Sequence, residues 1–250
     1  MKIFIPFFIT LFFFSNSKNA FSQKYKSLKI TYNIDYRSKL DSSKTKSYKK
    51  EISKLNSLII KSSKDISYQL TIENQQSLFI VNESKMSESK NDLKKIATII
   101  TGTNGRFYVN REKEIYLHEK DFLSDLFLVK IEVKKWKITD DFKVINNFKC
   151  YKAISEDIVS NPAGIFKKKV TAWFSPDLPS FFGPAGYFGL PGLILELDNS
   201  KMNMYASKIE FLKSKKENVF IHKKGINVTQ REFDSIVKES SKRFLSQKRR

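Results

Sequence analysis

In the stretch LKITYNIDY the large apolar residues Leu28, Ile30, Tyr32, Ile34 and Tyr36 all fall on even numbers, with Lys29, Thr31, Asn33 and Asp35 between them. Successive side chains of a β-strand point to opposite faces, so this period of two lines one face with apolar groups and leaves the other polar. The pattern returns in ISYQLTIE with Ile66, Tyr68, Leu70 and Ile72. SLFIVNE, GRFYVNRE, KEIYLHEK, LVKIEVKKW, FKCYKAI, KVTAWF, LILEL, MYASKIEFL and NVFIHK read as further strands. Runs of this length, separated by short polar breaks, predict an antiparallel meander. Asn104-Gly105 is read as a hairpin turn.

Helical signals are confined to the end of the chain. Thr229 and Glu232 have capping-box spacing, and Phe233, Ile236, Val237 and Phe244 follow near helical period. One C-terminal helix is therefore expected, docked loosely or free, ending in the basic tail Lys248-Arg249-Arg250. The charge-rich stretches SKLDSSKTKSYKKEISK and NESKMSESKNDLKK hold few apolar residues and are expected to be exposed loops.

The first residues, MKIFIPFFITLFFFSNSKNAFSQ, join a basic start to a twelve-residue apolar run and small residues at Ala20 and Ser22. That order predicts a signal peptide over 1–22, and the run is too short for the ~20 residues of a spanning helix. The mature chain would have 250 − 22 = 228 residues, read as one β-rich domain over 23–250 with the helix and tail from about 228. An exported protein, periplasmic or secreted, is expected, with membrane association peripheral at most. Cys150 is the single cysteine, so no internal disulfide can form and an apolar core must hold the fold. The formal charge of +20 raises nucleic acid as a partner. Export and the scatter of lysines through every segment exclude that reading in favour of solvated strand faces and loops, or of attraction to anionic lipid or acidic polysaccharide.

One stretch stands apart. From Leu178 to Leu195 no side chain is charged, although 29% of the chain is, and four of the eight glycines lie between Gly183 and Gly192. Pro176, Pro179 and Pro184 forbid a continuous helix and disfavour a central strand. Leu190-Pro191-Gly192-Leu193 meets the demands of a type II turn, which requires a positive φ at Gly192. Leu193, Leu195 and Leu197 are then expected on one strand face, opposite Ile194 and Glu196. Gly183, Pro184, Gly189, Pro191 and Gly192 are the structural turn residues of this ribbon. Trp173, Phe181, Phe182, Tyr187, Phe188, Leu190 and Glu196 are the candidate ligand-binding residues, able either to line an apolar cleft or to plug a curved sheet. Packing inward is the commoner fate of such rings.

GLPGLI, Gly189 to Ile194, resembles the signature of the GLPGLI family of exported bacterial proteins, largely uncharacterised. Trp136 and Ile138 are similar to its Trp strand, and KVINNFKCYKA (Ile145, Cys150, Lys152, Ala153) and VTAWFSPDLPSFFGP (Ala172, Trp173, Pro179, Gly183, Pro184) to two further segments. Asn147 stands where glycine is usual, and Phe148 and Phe174 where tyrosine is usual. The resemblance implies no active site. It implies a strand-rich body similar to the curved half-barrel lipid carriers of the periplasm, a fold analogy that licenses no function.

Other chemistry is thinly supplied. His118 and His222 lack metal-ligand spacing, and no metal or cofactor is expected. Cys150 shares a strand face with Phe148, which favours a small buried hydrophobe over a thiolate nucleophile paired with either histidine. No Gly-x-Ser-x-Gly elbow or Gly-rich phosphate loop is present. The expected fold is mainly β, a curved antiparallel sheet or partial barrel with one C-terminal helix. The expected function is non-enzymatic: binding an apolar ligand or an envelope protein through the aromatic ribbon. The alternatives are an interaction module whose edge strands join a membrane-protein partner, and a thiol enzyme using Cys150.

Overall fold

The computed structural model describes residues 27–37, 49–82, 91–161, 164–179, 181–212, 219–221 and 224–247. The signal-peptide reading, His222 and the tail 248–250 lie outside them. Twelve strands form one sheet: β1 (Ser27–Tyr36), β2 (Ser67–Glu73), β3 (Gln76–Val81), β4 (Arg106–Asn110), β5 (Ile115–Phe122), β6 (Asp125–Lys130), β7 (Lys137–Ile145), β8 (Phe148–Asn161), β9 (Gly164–Ser175), β10 (Leu193–Asp198), β11 (Met202–Leu212) and β12 (Ile226–Thr229). Three helices accompany them: α1 (Lys49–Ser63), α2 (Asn91–Thr101) and α3 (Gln230–Gln247).

The strand order is β12-β6-β5-β4-β3-β2-β1-β11-β10-β9-β8-β7. Two meanders, β1 to β6 and β7 to β11, join where β1 pairs antiparallel with β11. Every pairing is antiparallel except β12 beside β6. The even-numbered face of β1 is buried from Leu28 to Tyr36, as its alternation predicts. Register carries that face across the sheet through Leu70, Phe79, Phe107 and His118 in one direction. In the other it passes through Met204, Leu197, Ala172 and Ala153.

The sheet has to curve. β6 and β7 lie ten strand positions apart, about 48 Å if the sheet were flat. Only residues 131–136 connect them, and seven Cα steps reach at most about 25 Å. The two halves therefore bend towards each other as a trough, and residues 131–136 form a strap across its opening. LVKIEVKKW was expected to be one strand. It ends instead at Lys130, because its second half is the strap.

Two helices correct the expectation of a single one. Ile52, Leu55 and Ile59 in α1, and Leu93, Ile96, Ala97 and Ile100 in α2, recur at helical spacing within lysine-rich sequence. Ile59 and Ala97 are buried in the same core as Tyr32 and Tyr68. Asn104-Gly105 is no hairpin turn: it links α2 to β4, and Gly105 has φ 80°. Phe220 and Ile221 form no strand; the Phe220 carbonyl accepts from Arg106 (2.7 Å).

The expected capping box is present. Thr229 N–H donates to Glu232 Oε2 (2.7 Å), and Glu232 N–H to Thr229 Oγ1 (3.2 Å). α3 docks through Phe233, Ile236 and Val237 on Phe127 and Val129, while Phe244 is exposed.

Candidate functional site

The uncharged ribbon between β9 and β10 folds into the trough. Phe181 N–H donates to the Leu190 carbonyl (2.8 Å) and Gly189 N–H to the Phe181 carbonyl (3.0 Å), closing an excursion over 182–189. Its tip is a tight turn in which Tyr187 N–H reaches the Pro184 carbonyl (3.0 Å), with Ala185 and Gly186 both at positive φ (51° and 76°). Gly186 lies against Phe107 and Ile131, so the ribbon reaches β4 and the start of the strap. Gly189 lies against Val133, and Trp136 Nε1–H donates to the Phe188 carbonyl (2.9 Å). The strap thus lies on the ribbon and is bonded to it.

Phe182, Phe188 and Leu190 are buried, and Phe181 and Tyr187 are half-buried. The Phe188 ring meets Tyr116 of β5 (centroids 4.9 Å apart) and Phe181 (5.4 Å). Phe181 holds φ 82°, a costly conformation for a bulky side chain, in a ring that also packs on Tyr116 (5.7 Å) and beneath Arg111 (5.4 Å). Tyr187 donates its hydroxyl to Asp157 (2.6 Å) and accepts from Asn199 (3.1 Å), while Lys134 of the strap pairs with the same carboxylate (2.7 Å). Burial pushes the Tyr187 phenol far up, and the Asp157 charge adds to this. Tyr32, fully buried, donates to the Ile194 carbonyl (2.6 Å), where the ribbon enters β10.

Two local expectations are corrected here. Gly192 is not at positive φ; the left-handed glycine of the signature is Gly189, φ 98°. Gly192 is required for a different reason, because a Cβ there would meet the Ser175 carbonyl oxygen at 2.2 Å. A Cβ on Gly183 would lie 2.3 Å from the Tyr187 carbonyl oxygen. Pro184 is buried at the tip, and Pro191 is exposed. Nor do Leu193 and Leu197 share a face. The β9 register shifts between Ile194 and Glu196, placing Leu193 and Glu196 beside Ser175 and Trp173, and Ile194 and Leu197 beside Phe174 and Ala172.

That shift divides the candidate residues. Trp173 and Glu196 lie on the outer face, away from the ribbon. Lys143 pairs with Glu196 (2.7 Å) and sits over the Trp173 ring (4.4 Å); Lys152 flanks the same ring (5.9 Å) and pairs with Asp141 (2.8 Å). Asn146 and Asn147 turn β7 into β8 at φ 49° and 65°, so both residues take the left-handed conformation that asparagine tolerates.

Cys150 is fully buried, and its thiol is pushed up to about 11, mainly by burial. It lies eight strand positions from His118 and, by register, on the opposite sheet face. His118 stacks on Phe107 (3.7 Å) and bonds through Nε2 to the Asn104 carbonyl (2.6 Å). Burial lowers its pKa to about 3, with Lys120 acting in the same direction. Among the described residues no group of His, Cys, Asp and Glu is arranged to hold a metal ion, and no helix is long and apolar enough to cross a membrane.

Tyr116 and Val133 were not singled out from sequence, and Trp136 was noted only as part of a strand. Tyr116 looked like any strand residue and Val133 like strand continuation, and Trp136 lies on the strap, not in a strand. Two open grooves also lie beside the start of α3. One, of 660 Å³, is lined by Val228, Arg231, Glu232 and Ile236; the other, of 510 Å³, includes Tyr116, Leu128 and Lys130.

Residues 164–196 match a family described as "Protein of unknown function (Porph_ging)", which fits a GLPGLI-type family. No curated protein matches the chain. Among solved structures it is similar to PNGF-II in a P21 crystal form (TM-score 0.51, 12% identity, 86% of this chain and 34% of that one). A C2 form gives TM-score 0.50, 12% identity, and coverage of 86% and 33%. The chain spans about a third of PNGF-II, and at this identity the likeness is one of fold. The Mycobacterium tuberculosis lipoprotein LppX aligns with TM-score 0.29 and 10% identity, over 80% of this chain and 92% of that one. The family match therefore covers β9, the ribbon and the first four residues of β10.

Proposed function

We propose that the chain is an exported, non-catalytic envelope module that holds a protein partner along the β7 edge of its sheet. The observation that carries this reading is an uncovered stretch of the core-side face. Register puts Ile138, Phe142 and Val144 on the same face as Ala153 and Tyr151, yet Phe142 is 62% and Val144 68% exposed. Over the middle of the sheet that face is packed under the ribbon and helices. Among the described strands β7 has a neighbour on one side alone, so its outer backbone groups are available for an added strand. The bulge over 139–141 leaves residues 142–145 as the regular segment for pairing.

The trough offers an apolar ligand little room, because Phe182, Phe188 and Leu190 occupy it. A ligand bound by the ribbon would have to displace those rings. Cys150, buried and remote from His118, does not favour a thiol mechanism that pairs those two residues.

The test is native extraction of the tagged full chain from its own envelope, comparing wild type with Phe142→Asp/Val144→Asp and with Leu123→Asp as a surface control. A partner retained by wild type and control, and reduced at least about tenfold by the edge variant, supports the reading. Equal retention by all three sinks it. So does a copurifying lipid whose release requires the ribbon to open.

A further inference from the structure

The hairpin of β8 and β9 outruns its neighbours. β7 pairs with β8 only over 148–154, and β10 with β9 only over 171–175. The strap reaches as far as Glu156 and Asp157, through Lys134. Beyond that point β8 and β9 pair only with each other, from Ile158 with Lys167 out to Asn161 with Gly164. This is a two-stranded arm standing free of the sheet.

Its side chains are unusual for a free arm. Ile158 (72% exposed) and Ile165 (74%) are on one face, and Val159 and Phe166, also exposed, are on the other. An arm that docks on a protein buries one face and keeps the other polar. This one is apolar on both faces, which suits a medium that surrounds it. Lys167 stands opposite Ile158 in the innermost rung of the arm, and Lys168 and Lys169 follow directly behind, all three exposed. Lys167 pairs with Glu156 (3.2 Å), and Lys168 lies over the Phe166 ring (5.9 Å). From Gly164 to Lys167 is three residues, about 10 Å along the strand, comparable with the ~5–10 Å to which interfacial segments sink into a bilayer.

We infer that the distal β8–β9 arm inserts into an anionic lipid surface, with Val159, Ile165 and Phe166 in the acyl boundary, the Ile158–Lys167 rung at its margin, and Lys167–Lys169 among the headgroups. The lysines supply the charge complementarity that selects anionic over zwitterionic lipid. The inference goes beyond the β7 reading and does not depend on it: an arm that ignores lipid leaves the edge-strand proposal standing.

The experiment uses the full chain carrying Ile165→Cys, labelled with an environment-sensitive fluorophore. Cys150 is fully buried in the folded protein, so the introduced thiol takes the label. A second chain carries the label at Leu123→Cys, in the exposed turn between β5 and β6. Both are titrated with phosphatidylcholine vesicles, with and without phosphatidylglycerol at about one part in three. The expected result is a blue shift at position 165 with the anionic vesicles, none at 123, and apparent binding at least about tenfold weaker on phosphatidylcholine alone. Lys167→Gln/Lys168→Gln/Lys169→Gln in the Ile165→Cys chain should weaken the anionic response by a similar factor, with circular dichroism confirming that the sheet is retained. The inference is overturned by silence at 165, by equal shifts at 165 and 123 as from an N-terminal anchor alone, or by a response indifferent to the three lysines.

Discussion

Replacing Phe188 by alanine separates a plug from a lid. The side chain is 1% exposed, and its ring packs on Tyr116 and Phe181, so truncation removes a fully buried aromatic and leaves a hole that the strap above cannot readily fill. Phe→Ala at such a site costs about 3–5 kcal/mol, of which roughly 0.5–1.5 is the aromatic pairing. The hydrogen bond from Trp136 goes to the Phe188 carbonyl and survives the substitution, so the loss reports the ring alone. With a urea slope of about 2 kcal/mol/M, the unfolding midpoint should fall by about 2 M. That is a large part of the ~5–15 kcal/mol that holds a domain together, so Phe188→Leu, at about 1.5 kcal/mol or less, guards against a variant too unstable to measure. Equilibrium unfolding followed by tryptophan fluorescence, with Trp136 on the adjoining strap, reads both. A loss below about 1 kcal/mol at unchanged slope would mean that the ring stands in solvent or in an open cleft. The filled-trough reasoning would then fail.

The pH dependence of stability should carry a histidine signature. Free imidazole protonates near 6.5, whereas folded His118 stays neutral down to about 3. Its contribution is therefore complete above pH 6.5 and is lost as pH falls towards 3, reaching about 2–3 kcal/mol by pH 4.5. His118→Gln should flatten that part of the difference between pH 7 and pH 4.5 in urea unfolding, and a variant as acid-sensitive as wild type would remove His118 from the account. Gly192→Ala should lower stability by at least about 2 kcal/mol in thermal unfolding, because its Cβ would press on the Ser175 backbone 2.2 Å away; a neutral result would mean that the ribbon does not lie there.

The strands were legible because most of them alternate, and alternation is local. LKITYNIDY needs no neighbour to declare its faces, and its buried residues are the even-numbered five. What failed depended on distant chain. EVKKW reads as a continuing strand, yet residues 132–136 join no β-ladder, since they have to cross the trough. The lysines of α1 and α2 masked apolar residues that repeat every three or four positions, and those residues are held by a core built from β1 and β2. Glu196 could not be assigned a face from alternation, because one irregularity between Ile194 and Glu196 inverts the rest of β10. The inward fold of the ribbon was readable from its rings. Its partners Tyr116, Val133 and Trp136, on β5 and the strap, were not.

The same limit explains why a binding surface hides in this sequence. Ile30 and Val144 are β-branched residues in alternating runs, and nothing local separates them. One is fully buried and the other 68% exposed, because β1 lies in the middle of the sheet under the ribbon and helices while β7 lies at its edge, beyond their reach. Burial in a curved sheet is decided by strand order and by what is laid into the curve. Here the inserted ribbon covers the middle and leaves the core-side face of β7 and both faces of the distal β8–β9 arm open. Phe182 and Phe188 of the ribbon are packed inside the trough. Among the exposed apolar groups, Ile138, Phe142, Val144, Ile158, Val159, Ile165 and Phe166 fall on one hairpin and its neighbouring edge strand, and such a grouping is what an interaction surface requires.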